Sequence, residues 1–397
     1  MNTLFIALFN VSFFYFVSTK ETPVNLSCAE LKKKIVGSVM NGFSSKPTYD
    51  GTDFYLANKN GEDAIQIGPN GWSGLETDGF DSSRKTCFII HGFKDHHQRG
   101  WIKKLQKGLH NAINYNLIII DWSKGSESWN YVEAVHNTYK VAQGIVKFLD
   151  SMQKEVSILN NFTENESWKN LYFIGHSLGA QIAGQAGHLI KSSSNFKMER
   201  ITGLDPARPC FQSVDPIFKL DYSDADFVDV IHTQTGNDED VSGIGVQERS
   251  GHVDFYVNGG IIQPECETKL MAIQKMLCSH NLAYRFFTET VYDSKTNNCK
   301  LMGYKWDGSY KEALQILDEV DKGNSCADCM EMGINAVNHK IESGRYLVFT
   351  SVSRPYCPLK TGDKSLLTKE LQKLNATTKL FPNLPSIRKI LYGNWFD

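Results

Sequence analysis

The chain has 397 residues, of which 41% are hydrophobic, 22% charged and 12% aromatic. That balance excludes an intrinsically disordered protein, which lacks the apolar surface to build a core. Lys and Arg number 42 against 44 Asp and Glu, a formal charge of −2, so the basic surplus of a nucleic-acid binder is missing. Beyond the N-terminus no apolar run reaches the ~18 residues that a membrane span needs.

At the N-terminus, Leu4 to Val17 is apolar apart from Asn10 and Ser12, and the small Ser18 and Thr19 follow. Such a run fits the ~7–15-residue core of a secretory signal, although no Lys or Arg precedes it. Residues 1–19 are therefore expected to be a signal peptide and the protein secreted, a buried N-terminal helix being the plainer alternative. Nine cysteines agree with an oxidising compartment. Sequons at Asn25, Asn161, Asn165 and Asn375 add weak support for an extracellular glycoprotein.

Further along, short apolar runs read as buried strands at Thr86–Ile90, Leu117–Ile120, Leu171–Ile174, Ile201–Leu204 and Phe227–Ile231. Between the second and third, Val135, Tyr139, Ala142, Ile145, Val146 and Leu149 recur at helical spacing, predicting a helix over Tyr131 to Met152. A second helix is expected from Leu178 to about Ile190. Strands alternating with helices imply an α/β fold, a largely parallel sheet covered on both faces.

The most informative string is Gly175-His176-Ser177-Leu178-Gly179. It matches G-x-S-x-G and lies directly after a strand and directly before a helix. The glycines permit a tight turn that lifts the serine above the sheet edge, beside a helix N-terminus whose N–H groups face developing negative charge.

A serine hydroxyl needs a base and an orienting acid before it can attack. Asp205, in Gly203-Leu204-Asp205-Pro206-Ala207, follows the next strand and projects from the same edge. His232, His252, His280 and His339 are the later histidines available as base. His232 ends a strand and His252 opens one, so structural roles suit both. His280 is favoured, as a loop histidine held between Cys278 and a helix over Asn281–Thr290. An oxyanion needs backbone donors, expected from Phe93, in the loop His91-Gly92-Phe93, and from Leu178. Removing one such donor typically costs ~3–4 kcal/mol of transition-state stabilisation. His91 and His176 flank these donors and suit packing or hydrogen bonding better than base chemistry.

These strings, with Asp121-Trp122, Val230-Ile231-His232-Thr233, residues 251–260 and Cys278-Ser279-His280, occur in the order found in the pancreatic lipase family. The resemblance spans roughly residues 50–357. It implies the α/β-hydrolase fold and places that family's triad on Ser177, Asp205 and His280 and its oxyanion donors on Phe93 and Leu178. The later strings, Met332-Gly333-Ile334-Asn335-Ala336 and Pro355-Tyr356-Cys357, look most like the phospholipases A1 of insect venoms. No stretch is long enough for the family's colipase-docking C-terminal sandwich, so colipase is not an expected partner.

The family's disulfide-closed lid would here run from Cys266 to Cys278 and hold only 11 residues. Short lids go with phospholipases A1 and long ones with triglyceride lipases. By resemblance, Cys299 would pair with Cys326 and Cys329 with Cys357. Nothing in the sequence decides among the remaining Cys28, Cys87 and Cys210; a Cys28–Cys87 pair is a guess, with Cys210 the odd, buried thiol. Asp221 and Asp224 match a calcium site of some members, with solvated loop acids as the equal alternative; no cofactor is required for the chemistry.

The resulting expectation is a signal at 1–19, a lipase domain at 20–357 and a basic extension at 358–397. The domain would be a secreted serine carboxylester hydrolase, a phospholipase A1 cleaving the sn-1 ester of phospholipids at a lipid surface. A triglyceride or galactolipid lipase is the alternative within the class, and a non-catalytic, yolk-type lipid binder the alternative outside it. The extension carries seven basic and three acidic residues. Its Leu366, Leu367, Leu371 and Leu374 recur at helical spacing, which suggests a face for anionic lipid, a solvated tail being the alternative.

Overall fold

A computed structural model describes Cys28 and residues 51–57, 64–67, 79–127, 131–160, 170–194, 197–212, 214–236, 243–269, 271–294, 300–324, 326, 328–339 and 342–375. Its strands are β1 (Asp53–Leu56), β2 (Ile65–Ile67), β3 (Thr86–Ile90), β4 (Asn116–Asp121), β5 (Leu171–His176) and β6 (Met198–Leu204). The later ones are β7 (Ala225–His232), β8 (Val253–Val257), β9 (Met302–Lys305), β10 (Met330–Glu331) and β11 (Gly344–Val348). They form one sheet in the order β10-β9-β11-β8-β7-β6-β5-β3-β4-β1-β2. From β4 to β11 every neighbouring pair is parallel, and both edges are finished by antiparallel strands. The fold is α/β, as the alternation of runs predicts.

Six helices matter for the site: α1 (Gly100–Ala112), α2 (Tyr131–Asn160), α3 (Leu178–Ser194), α4 (Ala272–Asp293), α5 (Tyr310–Asp321) and α6 (Asp363–Leu371). Strands β3, β4 and β5 are buried at every position because both faces are covered. Phe88, Ile90, Ile118 and Phe173 meet α2 and α3 on one face. The alternate residues Cys87, Ile89, Ile119 and Ile174 meet α1 and α4 on the other. No described helix is long and apolar enough to cross a membrane.

The cysteine pairing matches the expectation at Cys266–Cys278 and differs elsewhere. Cys28 joins Cys210, Cys266 joins Cys278 and Cys326 joins Cys329, while Cys357 is also disulfide-bonded. Among the described cysteines, Cys87 is the free thiol. It sits mid-strand in β3 under α1 and α4, and burial pushes its thiol up. Cys326 and Cys329 share one loop with their Cα atoms 5.5 Å apart, within ordinary disulfide reach, which excludes their pairing with Cys299 and Cys357.

The membrane face expected of the C-terminal leucines is also corrected. Leu367 and Leu371, on α6, are fully buried against Tyr256, Trp306, Leu317 and Phe349, with Leu374 partly buried beside them. Only Leu366 faces outward, 48% exposed. The packed body therefore continues through Asn375, an exposed sequon position. The signal segment, Asn25, Asn161, Asn165, Cys299 and residues 376–397 lie outside the described residues.

Leu371→Ala should lower stability by about 2–5 kcal/mol, the ordinary cost of emptying a buried leucine site. Truncation after Cys357 should destabilise the domain further. Urea melts of both variants check this, and a freely dangling extension would leave the midpoints unchanged.

Candidate active site

One residue separates β5 from α3. Ser177 takes φ +57°, a left-handed conformation that side chains rarely adopt, and so forms the whole turn. The glycines on either side answer to close contacts. A Cβ at Gly175 would lie 2.3 Å from the Gly179 carbonyl oxygen, and one at Gly179 would lie 2.2 Å from that of Ile90. Only bare backbone lets α3 come this near β3 and β5. The Ser177 N–H donates to the Leu204 carbonyl at 3.0 Å, and its carbonyl accepts from Ala180 and Ala207 at 3.1 and 3.2 Å.

Asp205 begins the loop after β6, also at positive φ (+45°), with its N–H donating to the Ile231 carbonyl at 2.8 Å. The carboxylate is fully buried. Its Oδ1 accepts from the backbone N–H groups of Thr233 and Gln234 at 2.8 and 3.1 Å, and its Oδ2 lies 2.6 Å from His280 Nδ1. A side chain at Gly245 would collide with this carboxylate, its Cβ only 2.6 Å from Oδ1. A carboxylate accepts, so His280 Nδ1 carries the proton and Nε2 is left with its lone pair.

His280 lies inside α4, not in the loop expected of it, because α4 starts eight residues earlier at Ala272. The other late histidines are engaged elsewhere. His232 uses both ring nitrogens, on Asp254 at 2.9 Å and the Val246 carbonyl at 3.0 Å. His252 Nδ1 accepts from the Val228 N–H at 3.0 Å, and His339 lies beside Glu331. His176 is held to a pKa of about 3 by burial and by the His280 charge, which rules it out as a base near neutrality.

The expected oxyanion loop lies against the serine. A Cβ at Gly92 would fall 2.8 Å from Ser177 Cβ and 3.4 Å from its Oγ, so Gly92 presents bare backbone to the serine. Leu178 opens α3 directly after it. The Phe93 ring meets Tyr131 edge-on at 5.2 Å. Behind this loop stands a cluster that sequence reasoning named only as a motif. Asp121, at the end of β4, accepts from His97, from the Ser123 N–H at 2.8 Å, and lies 3.3 Å from His91 Nε2. Burial alone would raise its pKa, but these partners outweigh it and hold the carboxyl well below the usual range. The available signal was an acid closing an apolar strand at the same sheet edge.

Asp221 and Asp224 are brought together around the turn Tyr222–Asp224. Asp221 Oδ1 accepts from the Ser223 N–H at 3.0 Å and Asp224 Oδ2 from the Asp221 N–H at 2.8 Å. Asp224 is buried and its Oδ1 has no partner. Among the described residues no three His, Cys, Asp or Glu side chains gather as a metal cluster.

The loop closed by Cys266–Cys278 is half helix, since α4 already occupies its second part. Met276 is buried against Ile261 and Ile262, whereas Leu277 is 37% exposed. Leu270 lies outside the described residues.

The family model described as Lipase matches residues 25–356. Pancreatic lipase-related protein 2 of Rattus norvegicus is 31% identical over 79% of this chain and 64% of its own length. Pancreatic triacylglycerol lipase of Ictidomys tridecemlineatus is 30% identical over 86% of this chain and 70% of its own. The chain thus spans about two thirds of the length of these relatives. Est1E of Butyrivibrio proteoclasticus superposes with a TM-score of 0.31 at 14% identity, covering 63% of this chain and 96% of that one. With the family model matched across most of its length, the chain belongs to the lipase family.

Proposed function

We propose that the protein is a secreted serine carboxylester hydrolase acting on lipid esters, with Ser177 as nucleophile, His280 as base and Asp205 as its orienting acid. The observation that carries this reading is the 2.6 Å contact of His280 Nδ1 with a buried Asp205 carboxylate, beside a serine held at positive φ. In this reading His280 Nε2 takes the proton of Ser177 Oγ as the oxygen attacks the ester carbonyl. The carbonyl electrons move to the oxygen, which the Phe93 and Leu178 N–H groups receive. Collapse expels the alcohol, protonated by His280, and water repeats the cycle on the acyl-enzyme. No bound cofactor enters these steps. Disulfides among the described cysteines support an oxidising, extracellular setting.

The substrate we propose is a glycerophospholipid cleaved at sn-1, at a membrane or micelle surface and without colipase. Support comes from the loop after Cys266, which joins α4 within six residues and has too little free chain to fold over a wide acyl groove. A charged headgroup could then stay in water. The triglyceride reading is favoured by the relative whose name is a triacylglycerol lipase.

Ser177→Ala should lower turnover on a soluble ester by at least ~10⁴-fold with folding intact, and Asp205→Asn by a similar factor through the wrong imidazole tautomer. A fluorophosphonate should label wild type and spare Ser177→Ala; a non-catalytic lipid binder would react in neither form. On lipid, phosphatidylcholine should be hydrolysed faster than triolein, with little activation on substrate aggregation. Strong interfacial activation together with faster triolein hydrolysis would favour the triglyceride lipase.

We also propose that Asp221 and Asp224 hold a structural cation of calcium type. The buried Asp224 Oδ1, without a hydrogen-bond partner, fits such an ion. Calcium should raise the melting temperature of the chelator-treated protein, and Asp224→Asn should remove that rise. An identical melting temperature with and without calcium would eliminate the site.

A further inference from the structure

We infer that His176 is a positioning residue, the strut that sets the distance between the nucleophile's turn and the base's helix; this inference rests on the proposed roles of Ser177 and His280. The two groups arrive on separate elements, Ser177 on the β5–α3 turn and His280 on α4. The residue preceding the serine reaches across. His176 Nε2 lies 3.3 Å from the main-chain carbonyl oxygen of His280 itself, and the two rings sit 4.6 Å apart.

The hydrogen-bond chemistry leaves one assignment. A carbonyl only accepts, so His176 Nε2 must carry the proton and donate. The neutral ring then has a bare Nδ1, and that atom is buried without a partner. Orphaning a buried acceptor costs free energy, which is tolerated here because a proton on Nδ1 would charge the ring beside His280. Burial and the His280 charge already hold His176 neutral at working pH. The cation formed on His280 during turnover therefore meets no competing cation from this neighbour. Asp95 and Asp205 are the acids whose charges reach the ring.

The ring has little freedom to swing away. Trp101, on α1, meets it at 5.9 Å and Tyr284, one turn beyond His280, at 5.0 Å, both edge-on. Trp101 and Tyr284 stack on each other at 4.6 Å. Trp101 is tied in turn, its Nε1 donating to Asp95 Oδ2 at 2.8 Å. The strut is thus braced from α1 and α4 together, and its length fixes how far α4 stands from the end of β5.

Amide replacements separate this role from simple packing. Gln places its donor near the position of imidazole Nε2, whereas Asn stops short near Nδ1. His176→Gln should keep most of the turnover on a soluble short-chain ester. His176→Asn and the donorless His176→Phe should lose roughly ten- to a hundredfold in kcat, as displacement of reacting groups by about an ångström does, with KM unchanged. Thermal melts of the Gln and Asn variants, run alongside, should agree with each other. Equal kcat for the Gln and Asn variants would overturn the strut, whether or not His176→Phe folds. His280→Ala serves as the control. If it remains active the base assignment fails, and if it is inactive while His176→Asn turns over like wild type, only the strut fails.

Discussion

Everything at the site depends on how closely α3 approaches the sheet. The Gly175 and Gly179 contacts are backbone against backbone, shorter than any side chain would allow. They leave a single residue to turn the chain from strand to helix, and that residue must accept positive φ. Ser177 is therefore presented by strain that the surrounding sheet over-determines. Asp205 repeats the device one strand later, with its own positive φ and with Gly245 clearing the space for its carboxylate. Two adjacent strand ends thus hold their functional side chains by backbone geometry, and the helix N-terminus beside Ser177 follows from the same turn.

The third group arrives on a helix, and α4 is restrained near both ends. At its start Cys278 is tied to Cys266. Toward its end Thr290 packs against Gly333, where a Cβ would lie 2.0 Å from the threonine Oγ1, and the Ile334 N–H donates to that oxygen at 3.3 Å. The Gly333 and Ile334 carbonyls in turn accept from Arg200, each at 2.7 Å, and Arg200 pairs with Asp229 through two hydrogen bonds across β6 and β7. Both side chains are buried, so removing either would strand a charge at a cost of roughly 3–5 kcal/mol. A buried ion pair inside the sheet is thereby connected, through one glycine loop, to the helix that carries His280.

The parts legible in the sequence were those governed by local pattern. Strand β3 is found at its expected bounds, and the helix expected from Leu178 starts there, because both depend on periodicity and on Gly175 and Gly179. Asp205 emerges at the end of β6, where its strand-end position puts it, and it meets His280, the base placed by motif resemblance, although His280 lies on a helix and not in a loop. What failed depends on tertiary contact. The start of α4 was missed because Met271 to Leu277 reads equally as loop or helix until Met276 finds Ile261 and Ile262. Cysteine pairing failed for Cys28, Cys210, Cys326 and Cys329 because partners are set by proximity in space, which spacing does not encode. The leucines near the C-terminus recur at helical spacing, but spacing alone does not say whether they meet lipid or, as Leu367 and Leu371 do, Trp306 and Phe349.

That last ambiguity bears on the substrate. Glu267, just after the lid's first cysteine, lies 2.6 Å from Lys275 and also contacts Lys373, which reaches Glu370. Burial would raise the Glu267 carboxyl, yet the two lysines outweigh it and hold it below its usual range. Leu374 adds apolar contact with the cluster that contains Met276. The lid loop is thus bonded on one side by its disulfide and on the other by the C-terminal segment. A segment that looked available for lipid binding is instead packed against the Cys266–Cys278 loop. Moving that loop away from the body must break the Glu267–Lys373 contact. On the reading proposed for this site, the restraint on substrate access lies as much in the packing of residues 363–375 as in the brevity of the Cys266–Cys278 loop.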